Sequence, residues 1–129
     1  MAKILVIDDE VNICSELAEL LEEGKHTVHC AENALQAFEK INQNPYDIIF
    51  LDVLMPKIEG SEALVEIKKK TQAPVVVMSA YLAPEVEKKV MSAGAYACLR
   101  KPFRLKEIES LIQNISSGKI KRQKNRNGG

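Results

Sequence analysis

Tryptophan is absent from this chain of 129 residues, and aromatic residues make up only 5% of it. So few aromatic rings provide no stacking platform of the kind that binds single-stranded nucleic acid. The chain also lacks the GxxxxGKS/T and GxGxxG loops that cradle nucleotide phosphates. We therefore do not expect the folded domain to bind a nucleotide, or to bind nucleic acid directly.

The chain has few cysteines and no long apolar run. Cys14, Cys30 and Cys98 are odd in number and far apart in sequence, which is not the pattern of a disulfide framework or of a paired metal site. The amino terminus has a short apolar run that soon meets two acidic residues, and this is too short for a signal peptide. No segment has the apolar length of a membrane span. We expect reduced thiols in a cytoplasmic protein that does not interact with a membrane.

The net charge is zero but is unevenly distributed along the chain. Five of the 18 basic residues lie in residues 119–129, which contain no acidic residue, so residues 1–118 hold 13 basic and all 18 acidic residues. The basic segment is polar and has no hydrophobic periodicity, which is typical of disorder. We predict one folded domain over residues 1–118, followed by a disordered basic tail or truncated linker over residues 119–129.

Strand-like and helix-like patterns alternate five times along the predicted domain. Each short apolar or β-rich run is followed by apolar residues at helical spacing. This alternation is typical of βα units that form a parallel sheet with helices on both faces. It predicts an α/β, flavodoxin-like, doubly wound (βα)5 fold with five parallel strands in the order 2-1-3-4-5. The strand candidates are residues 3–7, 26–30, 47–52, 74–79 and 96–99.

Capping residues indicate where the helices begin and end. Gly24 is predicted to end the first helix as a residue that is free to take left-handed dihedral angles. Asn33 is predicted to cap the second helix, with Gln36 three positions later as its capping-box partner. The predicted apolar face of the second helix consists of Leu35, Phe38 and Ile41.

Polar residues stand at the carboxyl ends of four predicted strands. They are Asp8 and Asp9 after the first strand, Asp52 at the third, Ser79 at the fourth and Lys101 after the fifth. The carboxyl ends of parallel strands share one edge of a sheet, where open α/β proteins bind their ligands. We therefore expect three carboxylates, a hydroxyl and an ammonium group to meet in one crevice.

This combination of groups is suited to phosphoryl transfer. Crowded carboxylates repel one another, and a divalent cation that prefers oxygen ligands, Mg²⁺ or Mn²⁺, relieves the repulsion. A carboxylate nucleophile such as Asp52 can accept a phosphoryl group as an acyl phosphate. The Ser79 hydroxyl and the Lys101 ammonium would each hold a phosphoryl oxygen where negative charge concentrates.

Four short motifs occur in order along residues 1–118. They are Asp8-Asp9, the segment DVLMPKIEG from Asp52 to Gly60, Ser79-Ala80, and Lys101-Pro102-Phe103. Together they resemble the response-regulator receiver domain of two-component signal transduction, which has the fold of the chemotaxis regulator. The resemblance implies a phosphoprotein in a phosphorelay, which accepts a phosphoryl group with Mg²⁺ from the phosphohistidine of a sensor kinase or a phosphotransfer protein and then switches a partner or effector interaction.

The resemblance assigns the acidic residues to a metal site. Asp52 corresponds to the phosphoacceptor and, with Asp9, to a direct metal ligand. The backbone carbonyl of Leu54 corresponds to a third ligand, and Asp8 to a residue that acts through metal-bound water.

The resemblance also implies how phosphorylation is sensed. Ser79 corresponds to a hydroxyl residue that moves toward the phosphoryl group, and Lys101 to the lysine that pairs with it. The Lys101-Pro102 peptide bond is expected to be cis. One departure from the family is Cys98, at the position where an aromatic switch residue often stands. A thiol is too small to replace that ring, which leaves open how the modification is reported.

The resemblance implies an output surface on the fourth helix, fifth strand and fifth helix, where such regulators bind effectors or form homodimers after phosphorylation. It implies no enzymatic activity beyond the domain's own phosphorylation and dephosphorylation. Two alternatives remain open. A phosphohydrolase would need an acid two residues after the nucleophile, where this chain has Leu54. A receiver-like interaction module that is not regulated by phosphorylation would not need the complete set of site residues.

Overall fold

A computed structural model of the chain describes residues 2–53, 60–102 and 104–128, with the backbone alone described at residues 60, 61 and 117–128. Strands and helices alternate along these residues. The strands are β1 (Lys3–Ile7), β2 (Thr27–Ala31), β3 (Ile48–Asp52), β4 (Val75–Ser79) and β5 (Ala97–Arg100). The helices are α1 (Val11–Glu23), α2 (Ala34–Gln43), α3 (Gly60–Lys70), α4 (Pro84–Ser92) and α5 (Leu105–Gly128).

The strands form one parallel sheet in the order β2-β1-β3-β4-β5. This confirms the predicted flavodoxin-like fold and strand order. The register places Ile7 beside Leu51, Asp52 beside Met78, and Ser79 beside Arg100. The carboxyl ends of the four adjacent strands therefore lie along one edge of the sheet.

The sheet separates two apolar layers, and this is why its central strands are apolar throughout. Every residue of β3 and β4 is buried, because one face of the sheet is covered by α2, α3 and α4 and the other by α1 and α5. Leu51 belongs to the first layer and its neighbour Phe50 to the second. Each such side chain contributes about 1.5–3 kcal/mol through burial, so the strands that carry the site are rigidly held.

The buried face of α2 differs from the predicted one. Leu35 is 74% exposed, whereas Ala37 and Ile41 are buried and Phe38 is partly buried against the same layer. Ala37 and Ile41 are one helical turn apart and face the sheet together. Leu35 lies two residues before Ala37, which is roughly 200° around the helix, so it points away from the sheet.

The ends of α1 and α2 also differ in detail from the prediction. Asn33 caps α2 as predicted, since its Oδ1 accepts from the backbone N–H of Gln36 at 2.9 Å. The Gln36 side chain accepts from the N–H of Glu32 rather than from Asn33 itself. After α1, Gly24 keeps a φ of −81°, and it is Lys25 that has the left-handed φ of 69°. The chain therefore reverses one residue later than predicted.

The backbone of α5 is helical through Gly128, where the sequence predicted a disordered tail after residue 118. The domain boundary at residue 118 stays a prediction. Among the described residues, no helix combines the length and the apolar character that crossing a bilayer requires.

Candidate functional site

The carboxyl edge of the sheet brings the predicted acidic residues together. Asp8 and Asp9 follow β1, and Asp52 is the last residue of β3. Carboxylate oxygens of these three residues all lie within 4.8 Å of one another. Asp8 and Asp52 are almost completely buried, whereas Asp9 is exposed. Three carboxylates thus share one small crevice that opens to solvent at Asp9.

Lys101 supplies positive charge to this crevice. Its Nζ lies 2.6 Å from Oδ2 of Asp8 and 3.3 Å from Oδ2 of Asp52. Burial by itself lowers the pKa of Lys101, but the hydrogen bond to Asp8 and the charges of both carboxylates outweigh it, so the pKa is raised above its ordinary value. Lys101 therefore stays protonated and bridges two buried acids that would otherwise repel each other.

The oxygens of Asp8 are bound by protein donors. Oδ1 accepts from the backbone N–H of Glu10 at 2.9 Å, while Oδ2 accepts from Lys101. The N–H of Asp8 donates to the carbonyl of Ala31 on the neighbouring strand. Asp8 is therefore fixed in place by contacts on both sides, and it shapes the floor of the crevice.

The donor set fits a hard divalent cation. All three acidic groups offer oxygen, which Mg²⁺ and Mn²⁺ prefer. Among the described residues, three carboxylates against the single charge of Lys101 leave excess negative charge, which a cation would offset. The predicted third ligand, the carbonyl of Leu54, lies outside the described residues.

Ser79 ends β4 and is fully buried, but its hydroxyl is engaged with the loop that follows. Its Oγ donates to the carbonyl of Tyr81 at 2.6 Å and accepts from the N–H of Tyr81 at 3.1 Å. The carbonyl of Ser79 accepts from the N–H of Lys101 at 2.8 Å. The hydroxyl thus lies at the predicted strand end and is bonded to the loop backbone.

The predicted cis peptide bond, between Lys101 and Pro102, follows β5 directly. Cys98 is half-buried and packs against the apolar layer of α2, α3 and α4. Burial raises the pKa of the Cys98 thiol, and the charge of Glu87 raises it further. The side chain at this position is therefore a small neutral thiol that contacts the core.

Sequence reasoning missed one residue of this region, Arg100. Its Nη2 donates to the carbonyl of Leu82 at 3.3 Å, in the loop between β4 and α4. The available signal was its position directly before Lys101 at the end of a short strand. Nothing in the sequence alone indicated which group the guanidinium would bind.

Known proteins resemble this chain along most of its length. Residues 4–113 match the response regulator receiver domain family. A "Transcriptional regulatory protein CpxR homolog" of Haemophilus influenzae is 36% identical over 116 residues, which cover 89% of this chain and 50% of that protein. The "Transcriptional regulatory protein PdtaR" of Mycobacterium tuberculosis is 35% identical over 112 residues, which cover 86% of this chain and 55% of that protein.

A solved structure shows the same fold. The crystal structure of a two-component response regulator from Clostridium difficile superposes with a TM-score of 0.88 at 28% identity, covering 91% of this chain and 97% of that one. The chain spans only about half of the length of each of the two curated relatives described above. The similarity therefore concerns one domain of those larger proteins.

Proposed function

The chain belongs to the response-regulator receiver family, and from this premise we propose that it is a signalling domain switched by phosphorylation of Asp52. The observation that carries the proposal is the crevice itself. The carboxylate of Asp52 lies 3.3 Å from the ammonium of Lys101 and shares its site with two further acids. This arrangement supplies a nucleophile and a cation to bind the group that it attacks.

In the proposed reaction, a carboxylate oxygen of Asp52 attacks the phosphorus of a phosphohistidine. The new P–O bond forms as the P–N bond breaks, and the imidazole leaves with the bonding electron pair. Lys101 is already within reach of Asp52 and would bind one phosphoryl oxygen, while Ser79 would donate its hydroxyl proton to another. The domain would catalyse only its own phosphorylation and dephosphorylation.

We assign the metal to the same crevice. Asp9 and Asp52, with the carbonyl of Leu54, would hold Mg²⁺ or Mn²⁺ directly, and Asp8 would act through metal-bound water. When bound, the ion would offset negative charge on the phosphoryl oxygens as they approach the carboxylates. Asp8 suits an indirect role, because its oxygens already accept hydrogen bonds from Glu10 and Lys101.

The phosphoryl donor is proposed to be a sensor histidine kinase or a phosphotransfer protein. A cavity of about 340 Å³ opens beside the crevice, between α1 and the Lys101-Pro102 bond. Its lining includes the apolar side chains of Ile13 and Leu20. A donor protein that packs on this surface would bring its phosphohistidine close to Asp52. We place this exchange in the cytoplasm.

The output surface is proposed to lie on α4, β5 and α5. A second cavity, of about 480 Å³, lies along β5 and α5 and includes Cys98 in its lining. Met91 on α4 and Tyr96 just before β5 are both partly exposed apolar residues. An effector domain, an output protein or a second copy of the chain would bind there. The two relatives described above are named transcriptional regulators, which favours an effector that controls transcription.

The experiment that tests the proposal is incubation with a small acyl phosphate and Mg²⁺, followed by intact mass measurement. The wild type is expected to gain the mass of one phosphoryl group, and Asp52→Asn to gain none. Chelation of the metal should suppress the gain. Asp47→Asn is the matched control, because Asp47 lies just before the opposite end of the same strand, and it should be modified like the wild type.

An unmodified wild type would favour the alternative function, an interaction module of receiver shape that phosphorylation does not regulate. Continuous turnover of a small phosphate ester would instead favour a hydrolase. The leucine two residues after Asp52, where a hydrolase needs an acid, argues against that outcome.

A further inference from the structure

The loop of residues 80–83, between β4 and α4, is held from two sides. On one side, the Ser79 hydroxyl donates to the carbonyl of Tyr81 at 2.6 Å. On the other side, the guanidinium of Arg100 donates to the carbonyl of Leu82 at 3.3 Å. The Leu82 side chain is buried, and Tyr81 is 73% exposed. The position of the loop is thus set in part by hydrogen bonds to Ser79 in β4 and to Arg100 in β5.

The loop in turn positions the start of α4. Ala83 is the N-cap of α4, and it makes no side-chain capping hydrogen bond. Its carbonyl accepts from the N–H of Glu87, and Pro84 begins the helix directly after it. A shift of the Leu82 carbonyl would therefore be transmitted through the main chain to the first turn of α4.

Arg100 and Lys101 are consecutive residues with different partners. Lys101 binds the two buried carboxylates, whereas Arg100 binds the loop. Ser79 lies between the two sets of contacts, since it is paired in register with Arg100 and its carbonyl accepts from the N–H of Lys101. The phosphorylation site and the loop are thus linked through three neighbouring residues.

We propose that Arg100 is a positioning residue that holds the loop of residues 80–83 in its unphosphorylated position, against the pull of Ser79 toward the phosphoryl group. This inference rests on the proposed function. The Ser79 hydroxyl has a single proton, so it cannot donate to a phosphoryl oxygen and to the Tyr81 carbonyl at once. Once Ser79 donates to the phosphoryl group, the Tyr81 carbonyl loses that bond, and the bond from Arg100 to the Leu82 carbonyl opposes movement of the loop.

This arrangement accounts for a switch without an aromatic residue at Cys98. The signal passes along the main chain, from Ser79 through Tyr81 and Leu82 to α4, and needs no large side chain to change its position. The bond from Arg100 resists the change and thereby sets the fraction of unphosphorylated protein in the active conformation. One net hydrogen bond changes such an equilibrium by about two- to tenfold.

The test compares Arg100→Met with Arg100→Lys by amide hydrogen exchange. Methionine keeps the aliphatic stem and removes the donors, while lysine keeps the charge and one donor group. Arg104→Met is the matched control, because it removes an equal charge from another exposed arginine. Exchange is measured at residues 81–87 with and without a small acyl phosphate and Mg²⁺, and intact mass reports the extent of phosphorylation in each sample.

Arg100→Met is expected to raise exchange at residues 81–87 by about two- to tenfold in the unphosphorylated protein. Phosphorylation of Arg100→Met should then raise exchange at these residues by less than phosphorylation of the wild type does. The exchange of Arg100→Lys should lie between that of the wild type and that of Arg100→Met. The exchange of Arg104→Met should equal that of the wild type. A merely structural role would raise exchange equally in both states and leave the response to phosphorylation unchanged.

The inference would be overturned if unphosphorylated Arg100→Met exchanged at the same rate as the wild type. It would also be overturned if Arg104→Met raised exchange as much as Arg100→Met. These outcomes differ from failure of the proposed function. In that case, no variant gains phosphoryl mass, whereas the exchange measured without phosphodonor still reports whether Arg100 holds the loop.

Discussion

Lys101 is the residue on which the charge balance of the crevice depends. Its ammonium contacts both Asp8 and Asp52, at 2.6 Å and 3.3 Å. A buried ion pair is weak support for stability, but removal of one partner leaves a buried charge without compensation. Lys101 therefore lets two acids remain buried and close together in the proposed phosphoryl acceptor site.

Outside the crevice, His29 is expected to make folding sensitive to pH. Its Nδ1 lies 2.7 Å from the Tyr46 hydroxyl. Burial lowers the pKa of His29, and the positive charges of Lys3 and Lys40 lower it further. Because the pKa is lower in the folded state, His29 contributes full stability above its unfolded value of about 6.5. That contribution is lost as the pH falls through the lowered folded value.

The measurement is the free energy of urea unfolding as a function of pH, for the wild type and for His29→Gln. Glutamine is polar and does not titrate, so the variant should lose less stability than the wild type as the pH falls from about 7 to about 5. Added salt should weaken the difference by screening Lys3 and Lys40. Parallel curves for the two proteins would show that His29 does not carry this dependence.

At the scale of elements, α2 shows which of its apolar residues stabilise the fold. Ile41→Ala is expected to lower the free energy of unfolding by about 2–4 kcal/mol, because Ile41 is buried against the sheet. Leu35→Ala is the matched control and should change it by less than about 0.5 kcal/mol, because Leu35 is largely exposed. Chemical unfolding measures both. Equal losses would mean that the face predicted from sequence, with Leu35 inside, is the correct one.

The sequence made some features of the elements predictable and left others open. The strand order followed from the five alternating strand and helix patterns. The crevice followed from the strand ends at Asp8, Asp52, Ser79 and Lys101, because parallel strands place their carboxyl ends at one edge. The contact of Arg100 with the loop was not predictable, because it depends on how the loop folds back toward β5. Patterns along a chain report periodicity, but not which neighbour a long polar side chain reaches.

Structural details near the ends of the helices were likewise not predictable from the sequence. The reversal after α1 occurs at Lys25 although a glycine directly precedes it. Leu35 suits a helix face by composition, but it lies roughly 200° around α2 from the buried Ala37 and is exposed.

At the scale of the whole molecule, binding of a cation in the crevice should measurably increase the stability of the folded state. A ligand that binds only the folded state stabilises it by about 1.4 kcal/mol at ten times its Kd. Mg²⁺ should therefore raise the Tm of the wild type by a few degrees. Asp9→Asn should be at least as stable as the wild type without Mg²⁺, since one of three crowded charges is removed, and should respond to Mg²⁺ far less.

Glu10→Gln is the control for this experiment. It removes an equal charge from the next residue, which is exposed and is not one of the three clustered acids. It should keep the full response to Mg²⁺. An equal response of Asp9→Asn and Glu10→Gln would mean that Mg²⁺ acts on the general charge of the protein and not on the crevice.

The central claim, that Asp52 is the phosphoryl acceptor, is tested most directly by locating the modification. The protein is treated with a small acyl phosphate and Mg²⁺, digested under acidic conditions, and analysed by tandem mass spectrometry with and without hydroxylamine, which cleaves acyl phosphates. We predict a single phosphoryl group on Asp52 that hydroxylamine removes. A phosphoryl group on Asp8 or Asp9, or one that resists hydroxylamine, would contradict this account.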